Sequence, residues 1–436
     1  MNEIQSPQGS EVAPEVAPQP AAAQVRGRAQ RQAGFGFIFG SALINAVSFG
    51  IMIPILPNLI REMTGGDTAA ASEWNVLFAT TWGVMQLFFG PMLGMLSDRY
   101  GRRPVLLLSL AGLGVDFLFM AFAPNLWWLF VGRVLNGATA ASFSTANAYL
   151  ADVTPPERRA KVFGWMGSAF SFGFLIGPVL GGALGEYDLR LPFLAAAALT
   201  FANCLYGLFI LPESLPPERR AKSYDWKRAN PLGSLQLLRS RPGLLGLAGV
   251  GFLFQLSHMV LPTIFVLYTT YRYHWSPAIL GASFLLTGAL GIVVQMFLVG
   301  PVVARIGERR AVLLGAVGGM AGFIWYGWAP TGWLYLMGAP IFAFVGFLMP
   351  GLQGLMTRKV QSHEQGQLQG ANQSLQGISA VLGPPIFGLV FAWSVRHDAV
   401  LHAPGVAIYL AAALLGLAFA LAFGVAKAPD AHAARA

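Results

Sequence analysis

Twelve runs of about twenty predominantly apolar residues follow one another along this chain of 436 residues. The hydrocarbon core of a bilayer is about 30 Å thick and needs roughly 20 such residues per helix. Charged residues make up only 11% of the chain, against about 25% in a soluble domain. The sequence therefore predicts an all-α polytopic membrane protein with twelve transmembrane helices. The runs cover residues 34–57, 74–96, 105–124, 126–150, 161–185, 192–212, 243–270, 277–304, 310–329, 332–356, 367–394 and 404–426.

The basic residues are distributed unequally between the two sides of the predicted membrane. Arg133 lies inside span four. The side of the membrane opposite the two termini carries only four basic residues, Arg61, Arg190, Arg272 and Arg396. The remaining 23 of the 28 Lys and Arg residues share the side of the termini and the central loop. Because cytoplasmic loops carry such an excess, we predict both termini to be cytoplasmic. The net charge of +9 is thus a topology signal and does not indicate nucleic-acid binding.

A polar connection at residues 213–242 divides the spans into two groups of six. We therefore predict two pseudo-symmetric six-helix bundles joined by this cytoplasmic loop. Outside them lie a Pro/Ala/Gln-rich N-terminal tail, predicted to be disordered, and a short C-terminal cytoplasmic tail. The predicted units are 1–33, 34–212, 213–242, 243–426 and 427–436.

The two halves repeat each other at one fixed offset of 206 positions. Gly94, Gly101, Arg103, Gly164, Gly177, Pro178 and Gly182 recur as Gly300, Gly307, Arg309, Gly370, Gly383, Pro384 and Gly388. Parallel six-helix repeats are typical of carriers whose site lies between the halves and opens to alternate sides by rocking. The repeat therefore indicates a transporter.

The loop between spans two and three combines one carboxylate with three guanidinium groups. A carboxylate at a helix end can form charge-assisted hydrogen bonds with such neighbours, and the glycines allow close approach of helix and turn. We predict a latch on the cytoplasmic side; the alternative is a basic loop that only reflects membrane topology. The latch residues are Gly94, Asp98, Arg99, Gly101, Arg102 and Arg103.

Span five carries small residues four positions apart together with a proline. Small residues let membrane helices pack closely, and proline bends a helix by removing a backbone donor. We predict a dedicated transport motif; the alternative is ordinary helix packing. The residues are Gly173, Gly177, Pro178, Gly181 and Gly182.

Asp116 is the only acidic residue in the middle of a span, and Arg133 is the only Lys or Arg inside a span and away from its ends. A carboxylate at the bilayer centre costs roughly 2.5–3.5 kcal/mol, so it suits a residue that carries a proton. At 1.5 Å per residue, the two side chains lie within roughly 4–5 Å of the same depth. We predict a pair or a shared water network tied to proton movement; the alternative is a purely structural ion pair.

Uncharged polar residues form stripes on several spans at steps of three and four. Such residues in a membrane helix face protein or a water-filled cavity, so they are candidates for substrate contact. Hydrogen bonding between helices is an equally good explanation for any one of them. The candidates are Ser41, Asn45, Asn136, Ser144, Asn147, Gln255, His258 and Gln353.

These motifs resemble those of a known family over about residues 34–426. Residues 94–103 resemble the signature of the major facilitator superfamily, in which this loop is a conformational latch. Residues 173–182 resemble the family's antiporter signature of drug/proton exchange, and residues 133–137 resemble a span-four motif whose arginine is assigned to proton transfer. Residues 49–57, 101–110, 163–167 and 352–354 are similar to the twelve-helix drug exporters, above all to the tetracycline-resistance efflux proteins.

The resemblance implies a bacterial inner-membrane exporter of a small organic compound, tetracycline-type drugs included, in exchange for protons. It implies that the partners are the lipid bilayer, the substrate and protons, and that the functional unit is a monomer. It implies no cofactor and no metal, with the proton gradient as the driving force. The tetracycline exporters carry an acid, a histidine and an acid in spans one, eight and nine, where this chain has Asn45, Gly291 and Gly319. Only Asp116 and Arg133 of the expected coupling set remain.

Three other functions fit the sequence less well. The missing acids fit an uncoupled facilitator or a proton-linked importer, although the span-five motif favours export. A non-transporting membrane sensor would not need repeated halves and a latch. An enzyme is not expected, since the chain has no His-Glu-x-x-His, no Gly-x-Ser-x-Gly, no phosphate loop, and a single cysteine, Cys204.

Overall fold

The computed structural model of the chain describes residues 21–140, 142–221, 236–241, 243–361 and 364–425. Within these ranges the regular structure is helical throughout. The predicted C-terminal tail, most of the predicted N-terminal tail and half of the predicted central loop lie outside the described residues.

The first half contains seven helices that make up its membrane spans. The second half begins with a short helix and continues with helices interrupted by a π-helical turn, Val294–Leu298, and a 3₁₀ turn, Phe344–Phe347. The helices of the first half are α1 Ala21–Met63, α2 Thr68–Tyr100, α3 Arg102–Phe122, α4 Leu126–Thr139, α5 Ser142–Val153, α6 Pro156–Gly185 and α7 Leu191–Ile210. Those of the second half are α8 Gln236–Ser240, α9 Leu244–His258, α10 Val260–Tyr273, α11 Pro277–Val293, α12 Val299–Ile306, α13 Glu308–Trp328, α14 Gly332–Met337, α15 Ala339–Ala343, α16 Leu348–Thr357, α17 Gln365–Arg396, α18 Asp398–Leu401 and α19 Val406–Val425.

Eleven helical segments of the described chain are long and apolar enough to cross a membrane. They correspond to eleven of the twelve predicted spans. The remaining one, span four, is split into α4 and α5, because the backbone leaves the helical region at Ala140 with ψ at 64°. Neither piece reaches the length of a full span, but together they cover the predicted crossing. The predicted all-α membrane fold is confirmed.

The helix that contains span one begins before the span itself. The apolar span starts at Gly36, and α1 runs without a break from Ala21 to Met63. The segment between these two starts is rich in Ala, Gln and Arg, which are strong helix formers. Helix propensity therefore extends this span beyond its apolar part.

Ion pairs of the two halves reproduce the sequence repeat. In the first half the Arg102 side chain lies 3.0 Å from the Asp152 carboxylate. In the second half Glu308 lies 2.7 Å from Arg358. Glu308 is 206 positions after Arg102, and Arg358 is 206 positions after Asp152, so the same positions form a pair with their charges exchanged. The offset is thus a structural repeat.

Glycine turns connect the repeated helices at this end of the bundle. Gly101 lies between α2 and α3 with φ at 110°, and Gly307 lies between α12 and α13 with φ at 80°. Residues with side chains rarely adopt this region. A Cβ atom at Gly101 would also overlap the Glu213 carboxylate, which fills the space beside the turn.

Two glycines of this loop motif allow a matched comparison. The Gly101→Ala variant should lose about 1–3 kcal/mol of stability, because alanine strains the turn, and it should also displace Glu213. The Gly94→Ala variant should remain within about 0.5 kcal/mol of the parent protein, because a Cβ there meets nothing within 4 Å. Thermal unfolding in detergent measures both. Equal losses for the two variants would contradict this account of the turn.

Candidate functional site

The predicted intramembrane charges lie in direct contact. The Arg133 guanidinium in α4 donates to the Asp116 carboxylate in α3, and both residues are buried, at 5% and 0% exposure. The two side chains that helix length predicts to lie at similar depths are therefore in contact. Its functional role stays a prediction.

The surroundings of this ion pair are mainly apolar. Arg133 also contacts the sulfur atoms of Met52 in α1, at 3.3 Å, and of Met120 in α3, at 3.8 Å. The second carboxylate oxygen, Asp116 Oδ1, is buried without a hydrogen-bond partner in the structure. A Cβ at Gly132 would lie 2.8 Å from that oxygen, so glycine makes room for the carboxylate. A buried carboxylate with a free acceptor is chemically suited to receive a proton.

The predicted latch is held by contacts within the first half. Arg102 lies 2.5 Å from Asp98, in addition to its contact with Asp152 at the end of α5. Arg103 donates to the Leu208 carbonyl of α7. The arginine cluster thus joins the ends of α2, α3, α5 and α7. The positively charged head of Arg99 lies over the Tyr100 ring, with the centroid 5.6 Å away.

Glu213, which the sequence analysis did not single out, completes this network. Its carboxylate accepts from the backbone N–H groups of Arg102 and Arg103, at 2.8 and 3.3 Å. These N–H groups belong to the first turn of α3. The N–H groups at a helix N-terminus have no partner within the helix, and this end attracts negative charge. The first residue of the central loop therefore caps the helix that follows the latch.

The small residues of span five let α6 approach α1. A Cβ at Gly173 would lie 2.7 Å from the Ala46 Cβ, and one at Gly177 would lie 2.6 Å from the Val47 carbonyl. Gly181 faces Ile51 in the same way. These glycines therefore allow the close packing of α6 against α1 that their spacing indicates.

The same helix also meets the second half. Gly182 lies against the backbone of Pro277 at the start of α11, and a Cβ at Gly281 would lie 2.6 Å from the Pro178 carbonyl. The span-five motif thus lies at two interfaces, one within the first half and one between the halves.

Polar contacts between the halves lie at the end of the bundle opposite the latch. Ser72 in α2 donates to the Gly388 carbonyl in α17 at 2.8 Å, and Asn75 donates to the Thr263 carbonyl in α10 at 2.9 Å. At the same end, Arg396 lies 2.6 Å from Glu73, and Thr270 donates to Asn58 at 3.3 Å. We call this end the outer end.

Glu186 makes a further contact between the halves at the outer end. It follows α6, and its carboxylate accepts from the Ala278 backbone N–H in the first turn of α11 at 2.9 Å. Hydrogen bonds from the Ser276 side chain and from Ala278 lower the pKa of Glu186 below its ordinary value. A residue of the first half therefore caps a helix of the second half, and the ionised form of Glu186 is favoured.

Beside these contacts is a cavity of about 330 Å³. Asn58 and Glu62 of the first half line one side of it, and Thr270 and Trp275 of the second half line another. Leu189, in the turn before α7, also borders it. The two halves therefore meet around a pocket at the outer end.

Two of the polar residues predicted to face a cavity make contacts within the first half. Ser41 is buried and accepts from Asn203 of α7 at 2.8 Å. Asn136 of α4 accepts from the Trp82 indole N–H of α2 at 2.7 Å. Sequence reasoning missed Asn203 and Trp82, because each needs a partner on a helix distant in the chain.

The other candidates stand in varied environments. Asn45 is half-buried, and its side-chain oxygen has no hydrogen-bond partner in the structure. His258, at the end of α9, packs between the rings of Phe254 and Phe342, with centroids 5.3 and 5.6 Å away. Ser144 is exposed, and three further candidates are half-buried: Asn147, Gln255 and Gln353.

This arrangement defines a class of protein. Two repeated bundles of membrane-spanning helices, which meet at one end and carry a buried ion pair, are the architecture of a membrane transporter. A family model described as Major Facilitator Superfamily matches residues 38–384 and 247–434. The chain belongs to the major facilitator superfamily.

Similar proteins come from bacterial drug resistance. The class C tetracycline resistance protein of Escherichia coli is 37% identical over 86% of this chain and 93% of its own length. The class B protein of the same organism is 35% identical over 87% and 94% of the two chains. These similarities agree with a multi-pass protein of the bacterial inner membrane.

Solved transporters share the fold at low sequence identity. The human organic anion transporter MFSD10 has a TM-score of 0.64 at 23% identity, covering 90% of this chain and 99% of that one. A bacterial homologue of the human lysosomal transporter Spinster, in an inward-facing and unoccupied conformation, has a TM-score of 0.68 at 15% identity. That similarity covers 91% of this chain and 97% of the other.

The buried ion pair predicts strongly coupled variants. Asp116→Asn or Arg133→Gln alone should each destabilise the protein by about 3–5 kcal/mol, since either leaves one buried charge without its partner. The double variant removes both charges, so its loss should be clearly smaller than the sum of the two. Thermal unfolding of all four proteins in one detergent tests this. Additive losses would show that the two charges do not depend on each other.

Proposed function

We propose that this transporter exports a small organic compound by alternating access, in exchange for protons. Tetracycline-type drugs are candidate substrates, because the tetracycline resistance proteins are similar to this chain over most of their length. The observation that carries proton exchange is the buried Asp116–Arg133 pair. Each proton that enters across 100 mV contributes about 2.3 kcal/mol, which can drive a solute outward.

The proposed coupling step takes place at Asp116. Protonation of its carboxylate would neutralise one member of the pair and weaken the bond to Arg133. Arg133 also contacts Met52 of α1, so a change in the pair is transmitted to a third helix of the first half. A group that changes charge and is linked to helix packing can join proton movement to a change of conformation.

Alternating access is supported by where the halves touch. We infer that the outer end is closed in this conformation, because Glu186, Ser72 and Asn75 bind the second half there. The latch contacts, in contrast, join helices of the first half to one another. In the orientation predicted from the basic residues, the outer end faces away from the cytoplasm. The chamber between the halves would then open towards the cytoplasm.

An uncoupled facilitator or a proton-linked importer is the second candidate. It is favoured by the loss of titratable groups at Asn45, Gly291 and Gly319. The two candidates differ in whether a pH gradient drives the solute, and in which direction.

Transport in liposomes tests the proposal directly. With the purified protein, an imposed pH gradient should drive a compound from a panel that includes tetracycline, and the compound should in turn move protons. Asp116→Asn should reduce gradient-driven transport at least about tenfold, because an amide cannot carry the proton. Glu62→Gln, which changes an exposed acid of the outer cavity, should retain it. Undiminished gradient-driven transport in Asp116→Asn would remove Asp116 from the mechanism.

Closure of the outer end predicts a dependence on pH and on Glu186. Because the pKa of Glu186 is lowered, its ionised carboxylate stabilises the closed outer end at every pH above 4.5, the ordinary pKa of the group. This contribution is lost as the pH falls below 4.5. A cysteine at Leu189, in a Cys204→Ser background, should therefore react faster with a membrane-impermeant maleimide at low external pH, once each rate is divided by the rate of the unfolded protein at the same pH. This normalisation is needed because only the thiolate reacts and its fraction falls with pH.

Glu186→Gln should show the parent's low-pH normalised rate at every pH, because the amide has no charge to lose. Glu62→Gln, at the same cavity, should label like the parent. If Glu186→Gln kept the parent's rate and its pH response, Glu186 would not hold this end closed.

A further inference from the structure

A row of aromatic rings crosses from α1 to α6. The rings of Phe49 and Phe174 are nearly parallel, with centroids 6.3 Å apart and 27° between their planes. Phe170 continues the row, 5.8 Å from Phe174 at 24°. On the other side of Phe49, the Trp82 ring of α2 lies 6.2 Å away. Three helices thus place four rings together.

The α6 face that carries Phe174 turns towards the second half. On α6, Gly167, Ser171, Phe174 and Pro178 follow one another at steps of four, three and four, so they share one helix face. Pro178 at one end of that face packs against Gly281 of the second half, while Gly167 and Ser171 at the other end are exposed. Phe174, 36% exposed, lies between them on the helix face that meets the second half at Pro178.

Trp82 is held in place by its own hydrogen bond. The indole N–H donates to Asn136 Oδ1 at 2.7 Å, and this is the only polar donor of an indole ring. A ligand therefore meets the ring as an apolar surface of fixed orientation. A Cβ at Gly137, next to Asn136, would lie 3.0 Å from the Trp82 carbonyl, so glycine keeps α4 close to α2.

One polar group beside the rings has no partner. Asn45 is one helical turn before Phe49 on α1, and its buried Oδ1 atom accepts no hydrogen bond in the structure. A buried acceptor without a donor is costly, so a ligand N–H or O–H in reach of it would be stabilised. The charges of Asp116 and Arg133 neutralise each other. The described part of this surface therefore offers apolar rings and an acceptor, and no unpaired carboxylate for a cation.

We propose that Phe49, Trp82 and Phe174 form the binding surface for an uncharged, flat aromatic compound, and that Asn45 accepts a hydrogen bond from it. This rests on the proposed export function and defines its substrate class. Offset or edge-to-face contacts with aromatic rings contribute about 0.5–1.5 kcal/mol each beyond the area that they bury. A flat ligand can meet several of these rings at once, whereas a non-planar aliphatic compound cannot.

Carbazole is a suitable probe, since it is flat, uncharged and has a single N–H donor. Its binding to the purified protein in nanodiscs can be measured by scintillation proximity with tritiated compound and empty nanodiscs as blank. Carbazole should bind more tightly than N-methylcarbazole, which has no donor, and than N-methylacridinium, which is a permanent cation. Tighter binding of the cation would overturn the proposed substrate class.

Four variants localise the binding. Phe49→Leu and Phe174→Leu should each weaken carbazole binding about 3- to 10-fold, the range expected for one lost ring contact. Asn45→Ala should abolish the preference of carbazole over N-methylcarbazole. Phe172→Leu, which changes a 55% exposed ring of the same helix outside the row, should bind like the parent. Unchanged binding in Phe49→Leu and Phe174→Leu would contradict the proposal.

Two further measurements separate this inference from others. Phe174→Trp, which keeps a ring, should retain binding, and this shows that a loss in Phe174→Leu is not due to misfolding. If liposomes transport a solute but carbazole does not bind, the substrate class is wrong and the export function stands. If carbazole binds as expected and no solute is transported, the surface is a binding site and export is wrong.

Discussion

A polar side chain that is shielded from water in a membrane needs hydrogen-bond partners within the protein, because lipid supplies none. This requirement explains the contacts that hold the first half together. Asn203 binds Ser41, and Thr200 lies 3.3 Å from Ser48, so two pairs join α7 to α1. The Trp82–Asn136 bond joins α2 to α4 in the same way. Arg133, the one Lys or Arg away from the ends of the predicted spans, is neutralised by Asp116.

The halves are held to each other differently. Small residues bring α6 against α11, and side chains of α2 bind backbone carbonyl groups of α10 and α17. Bonds to backbone carbonyls depend little on the sequence of the partner helix, and the small residues leave smooth surfaces. Such an interface can separate and form again without leaving buried charges behind. The ion pairs of Arg102 with Asp98 and Asp152, in contrast, join helices of one half, which suits a bundle that moves as a unit.

Some features of the site follow from local rules. The depth of Asp116 and Arg133 follows from the fixed rise of a helix, and that is why their contact was predictable. The 206-residue offset also relates two ion pairs, Arg102–Asp152 and Glu308–Arg358. A comparison of charged residues at that offset would have revealed both pairs. Glu213 and Glu186 gave no such signal. Each caps a helix that begins far away in the chain, so only the packed structure identifies its partner.

The sequence alone determined the helical membrane fold, the twofold repeat and the family, because apolar length, charge distribution and glycine motifs are properties of consecutive residues. It also placed the intramembrane charges at one depth. Only the tertiary structure decided which helices touch, which end of the bundle is joined, and which rings line up beside Asn45. Those features depend on the rotation and tilt of each helix against its neighbours. Packing sets rotation and tilt, and the hydrophobic length of a span leaves them open.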